Sequence, residues 1–103
     1  MASRIQITDE GVTRKLGRLG RRSESVTWAE LTEVRIHTTA GGPFAEDVFF
    51  VLVGSDGGCV VPQGEVPAGF LERLQALPGF DNEALIAAMS STSENDFLCW
   101  SAD

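Results

Sequence analysis

Apolar and polar positions alternate with a period of two through most of the first half of the chain. Ile5 and Ile7 mark a short strand at 4–8, Asp9-Glu10-Gly11 supplies a turn, and 12–16 resumes the alternation, which predicts an opening hairpin. Gly17-Arg18-Leu19-Gly20-Arg21-Arg22-Ser23 carries two glycines and three arginines and is expected to be a mobile loop. Strand character returns at 25–28. Residues 28–31 can then close one helical turn capped by Thr27 or Ser25. In the next strand Val34, Ile36 and Thr38 share one face, and His37 falls in the opposite phase to Ile36. The glycines and proline at 39–43 read as a connection. A strand starting near Asp47 follows, in which Val48, Phe50 and Leu52 alternate with Phe49, Val51 and Val53. A run apolar on both sides predicts a central strand covered twice. Gly54-Ser55-Asp56-Gly57-Gly58 then turns the chain into Cys59-Val60-Val61, the clearest hairpin signal present.

From Pro67 the period becomes helical. Phe70, Leu71, Leu74 and Leu77 form one stripe, Pro67 suits the first turn, and Pro78-Gly79 ends the helix. Asp81 is a natural N-cap for a second short helix with Leu85, Ile86 and Met89 facing inward, stopped by the serines at 90–93. Residues 97–100 predict a last strand. The expected fold is therefore α+β, one domain over 1–103. It consists of a single antiparallel sheet of five to six strands, two short C-terminal helices packed on one face, and a final strand.

Charge changes this picture more than bulk composition does. The net charge is −7, but the first 22 residues carry six cations against two carboxylates, and the remainder two cations against thirteen carboxylates. The body of the domain thus bears a charge of −11, a field that disfavours a nucleic-acid backbone and favours a basic partner. The apolar run at 48–53 is far shorter than the ~20 residues of a membrane-spanning helix. The first residues lack the apolar core of a secretory signal, and Asp9-Glu10 argues against a transit peptide, so a cytoplasmic location is expected. Cys59 and Cys99 form no Cys-x-x-Cys motif and lie in apolar contexts, which predicts two buried thiols.

Catalytic signals are sparse. No phosphate-binding glycine loop occurs, and His37 is the only histidine, so a nucleophilic site would need it beside Cys59 or Cys99. The neighbouring carboxylates Glu46-Asp47, Glu30/Glu33 and Glu94/Asp96 are what a chain with fifteen acids produces on solvated faces. No enzyme activity, cofactor or metal site is expected. The sharpest polar feature is the basic stretch at 14–22, where Arg14, Lys15, Arg18, Arg21 and Arg22 place five cations in nine residues. Such a cluster can contact an anion, a phosphate headgroup or an acidic partner, or can offset the domain's own negative field. Trp28 and Trp100 suit either core mass or interface anchors.

The order Val26-Thr27-Trp28-Ala29-Glu30-Leu31-Thr32-Glu33-Val34, followed by an apolar strand, a Gly-Gly hairpin and a helix, resembles small bacterial proteins of pleckstrin-homology-like architecture. Gly42-Pro43-Phe44, Asp47-Val48-Phe49, the segment from Gly57 to Pro62, the segment from Leu77 to Asn82, and Phe97-Leu98-Cys99-Trp100 look like a family of uncharacterised bacterial proteins. The resemblance covers residues 25–100 and implies a bacterial cytoplasmic origin without a catalytic residue. In lipid-binding members of the pleckstrin-homology fold a basic loop between early strands holds the headgroup, and here only the stretch at 14–22 corresponds. Such domains finish on a long helix, whereas this chain predicts two short helices and a strand. Three functions fit these readings. The first is a non-enzymatic protein-interaction module with a protein partner. The second is an acidic, immunity- or antitoxin-like inhibitor of a basic partner. The third is a small-molecule or headgroup binder that uses the basic stretch, or a pocket where His37, Glu46 and Asp47 converge.

Overall fold

The turn at Trp28 to Glu30, which separates two antiparallel sheets, decides the architecture. The computed structural model describes residues 5–16, 22–39, 48–55, 57–91 and 93–102. The chain opens with β1 (Ile5–Ile7), β2 (Gly11–Leu16) and β3 (Arg22–Thr27), which pair antiparallel in the order β1-β2-β3. A second antiparallel sheet holds β4 (Leu31–Thr38), β5 (Val48–Gly54), β6 (Gly57–Pro62) and β7 (Asn95–Ser101) in the order β6-β5-β4-β7. A 3-10 turn at Gln63–Glu65 leads to α1 (Phe70–Gln75) and α2 (Asn82–Ser90), which stand between β6 and β7 in the chain.

The structure is α+β and antiparallel, but the expected single sheet of five to six strands is corrected to two sheets, of three and four strands among the described residues. The divergence lies at residues 28–30. Strands β3 and β4 are consecutive yet do not pair, because the turn at Trp28 to Glu30 sends the chain from one sheet into the other. Thr27 fixes that turn by accepting from the Glu30 amide at 3.2 Å and donating its hydroxyl to Glu30 Oε1 at 2.8 Å. Alternation within a strand fixes which side chains are buried, and it leaves the choice of neighbouring strand open.

The core lies between the inner face of the four-stranded sheet and a roof made of the other sheet and the helices. Val34, Ile36, Phe50, Leu52, Cys59, Val61 and Cys99 supply the floor. Ile5, Val12 and Val26 come down from the three-stranded sheet, Phe70 and Leu74 from α1, and Leu85 and Ala88 from α2. Phe70 meets Phe50 edge to face, with ring centroids 5.4 Å apart. Within the three-stranded sheet, β2 and β3 approach closely at Gly11, where a Cβ would lie 2.1 Å from the Val26 carbonyl oxygen, so no larger residue fits unless the backbone moves. Gly79, at φ 83°, takes the left-handed conformation that lets the chain turn from α1 toward α2.

Asp81 caps α2 as expected, accepting from the Ala84 amide at 3.0 Å. The inward set of that helix is Leu85 and Ala88, whereas Ile86 is 65% and Met89 39% exposed, which corrects the expected set of Leu85, Ile86 and Met89. Two constraints set the helix rotation. The cap fixes its start, and the Asp81 amide donates to the Cys99 carbonyl at 2.7 Å, tying that start to β7. The expectation that β5 is covered twice is also corrected. Val48, Phe50 and Leu52 are buried, while Phe49, Val51 and Val53 are only half-buried on the other side.

Candidate functional site

The ends of the basic stretch lie on β2 and β3, where Arg22 and Ser23 are strand and not the expected loop, and folding divides its cations. The register places Arg14 opposite Glu24 and Leu16 opposite Arg22, so Arg14 and Arg22 belong to one face of the hairpin and Lys15 to the other. Lys15 and Arg22 are exposed, and Arg18 and Arg21 lie outside the described residues. Arg14 has an internal task. Its Nη1 donates to the Val60 carbonyl at 3.1 Å, and Glu24 Oε1 accepts from the Val60 amide at 3.1 Å, with the two side chains 3.8 Å apart. Together they satisfy the outward backbone groups of Val60 on β6, an edge strand of the four-stranded sheet, and bolt one sheet to the other.

Both tryptophans act as staples. Each packs partly buried against the core, and each indole N–H donates to a backbone carbonyl: Trp28 to Thr8 at 2.9 Å and Trp100 to Pro78 at 2.8 Å. The two thiols are buried, and burial pushes each pKa up from 9.0 to about 11, assisted by Glu24 at Cys59 and by Asp81 at Cys99. Each therefore stays protonated and weakly nucleophilic at neutral pH. His37 stands on the outer face of β4, its side chain 38% exposed, with Nδ1 4.0 Å from Asp96 Oδ1. That position turns it away from the helices, so the expected pocket between sheet and helices does not receive it; Glu46 and Asp47 lie outside the described residues. No cluster of three or more metal-ligating side chains occurs among the described residues. Among them, too, no helix is long and apolar enough to cross a membrane.

The outer face of the four-stranded sheet is an apolar feature that the core leaves unused. One row runs Val60, Val51, Arg35, Leu98 across all four strands. Phe49 and Val53 flank Val51 along β5, opposite His37 and Glu33 of β4. Phe49, Val51, Val53 and Val60 are half-buried and Leu98 is 43% exposed, and none of the five packs into the core cluster. Arg35 sits among them, held flat by Glu33 at 2.8 Å and Asp96 at 3.0 Å. The hydrogen bond that Arg35 donates to Glu33 does most to raise the Arg35 pKa. The arrangement is a shallow apolar surface with one oriented guanidinium, suited to contact. Sequence reasoning assigned Phe49, Val51 and Val53 to a covered face and so missed the patch; Leu98, in phase opposite to Cys99, was the available signal.

Compared with models of protein families, with curated proteins and with solved structures, the chain matches none.

Proposed function

We propose that this protein is a non-enzymatic interaction module that docks a partner protein on the outer face of its four-stranded sheet. The observation that carries this reading is the apolar set of half-buried Phe49, Val51, Val53 and Val60 with exposed Leu98, contiguous across the sheet and outside the core. Contiguous exposed apolar surface in a monomeric domain marks a contact site, and Arg35, already oriented, supplies a polar anchor of the kind enriched at interfaces. The inert thiols and the outward-facing histidine support a role without chemistry. Engagement of Arg14 by Val60 and Glu24 weighs against a headgroup site on the basic stretch.

The test is the double variant Val51→Glu/Leu98→Glu. Both positions face outward, so its urea midpoint shifts by no more than about 1 kcal/mol of stability. A partner captured from native lysate by the wild-type chain is lost by the variant, with affinity reduced roughly tenfold to a hundredfold because charge replaces apolar contact at the interface. Hydrogen-exchange protection on binding falls on β5 and β6. Retention of the partner by the folded variant, or protection confined to other elements, overturns the assignment.

A further inference from the structure

A second concave surface lies at the end of the three-stranded sheet, where the β1–β2 turn meets the turn at 28–30. Asp9, Glu10, Thr27, Trp28, Ala29 and Glu30 line a mainly apolar groove. Its walls are fixed by backbone and ring. The Trp28 amide donates to the Glu10 carbonyl at 2.9 Å, the indole N–H to the Thr8 carbonyl at 2.9 Å, and Glu30 is held by the Thr27 hydroxyl. Arg73 of α1, which does not line the groove, places its guanidinium carbon 4.9 Å from the Trp28 ring centroid. One π-face of the indole is thus already engaged by Arg73, which leaves the ring to the groove as an apolar wall. Around it stand three carboxylates, and among the described residues no cation pairs with Asp9, Glu10 or Glu30.

We infer that this groove receives an arginine or lysine side chain from a basic segment of a partner polypeptide. The aliphatic stem lies along Trp28 and Ala29, and the charged head meets Asp9, Glu10 and Glu30. The choice of occupant follows from complementarity. Apolar walls suit the methylene stem of a long basic side chain, and the carboxylates, which have no cationic partner among the described residues, favour cations over any other polar group. The inference rests on the reading of the protein as an interaction module, but it concerns a surface separate from the outer sheet face.

The probe is a blocked alanine pentapeptide with two arginines, compared with its uncharged citrulline counterpart, titrated at low ionic strength and followed by amide and indole NMR. The arginine peptide gives saturable shifts at the Trp28 indole N–H and at the amides of the two turns, and the citrulline peptide gives none. Neutralising the rim by Asp9→Asn/Glu10→Gln/Glu30→Gln weakens binding roughly tenfold, whereas Glu65→Gln/Glu72→Gln/Glu83→Gln, with the same change in net charge, weakens it less than about twofold. Equal weakening by the two triple variants reduces the effect to general attraction by an acidic molecule and overturns the inference. Absence of saturable shifts, or equal binding of the citrulline peptide, does the same. The Val51→Glu/Leu98→Glu variant binds the peptide as the wild type does. If it fails to bind, the ligand lies on the sheet and the groove assignment falls, while a partner that ignores the sheet variant leaves the groove assignment standing.

Discussion

Thr38 is the one buried polar side chain among the described residues, and its partners show what it holds. The hydroxyl donates to the Ser93 carbonyl at 2.7 Å and accepts from the Asn95 amide at 3.2 Å, so the entry into β7 is hung on the end of β4. Thr38→Val keeps the shape and leaves a carbonyl and an amide without their partner. Its expected cost is about 1–3 kcal/mol, read as a lower urea midpoint, with faster amide exchange at Asn95. The alternation placed Thr38 on the inward face beside Val34 and Ile36 correctly. What the residue bonds to depended on where Ser93 and Asn95 end up, more than fifty residues later in the chain.

At the scale of elements, the edges of the four-stranded sheet are both engaged by groups outside it. On β7 the Cys99 carbonyl takes the Asp81 amide, and on β6 the Val60 amide and carbonyl are taken by Glu24 and Arg14. Edge strands left with unpaired backbone groups invite pairing with other chains, so these contacts protect as well as bind. Arg14→Ala or Glu24→Ala is expected to lower stability by about 1–2 kcal/mol, since each removes a charged hydrogen bond to a partly buried backbone group. A double-mutant cycle shows coupling between the two positions, and sedimentation shows increased self-association once the β6 edge is released. Glycine and arginine at the start of the hairpin hid this role. In the linear sequence Arg14 belongs to a cationic cluster, and only the pairing with β3 sets it opposite Glu24 and within reach of β6.

For the molecule as a whole, the buried thiols tie stability to alkaline pH. Both pKa values are raised to about 11 in the fold, so the neutral thiol is favoured there, and their contribution is fully present below the ordinary value of 9.0. As pH rises from 9.0 toward 11 the unfolded chain ionises first, and stability falls. The chain has no tyrosine and a single lysine, so few other side chains titrate in that window. The urea midpoint is expected to drop across it, and the drop is smaller in Cys59→Ala/Cys99→Ala even though that variant starts less stable. A midpoint that stays flat in the wild type contradicts the assignment.

Local rules were enough for what depends on neighbours in the chain. Period-two alternation marked the strands and the inward set Val34, Ile36 and Thr38; Asp81 declared its own cap; the glycines at 54 and 57 declared their hairpin. These signals are carried by backbone geometry and by side chains a few residues apart, and so they survive without a fold. The partition into two sheets, the rotation of α2 that exposes Ile86, and the bare outer side of β5 were decided only when distant segments met. An apolar residue reads the same in sequence whether another layer covers it or solvent does. That is why Phe49, Val51 and Val53 become a candidate surface only once every layer of the described structure is in place.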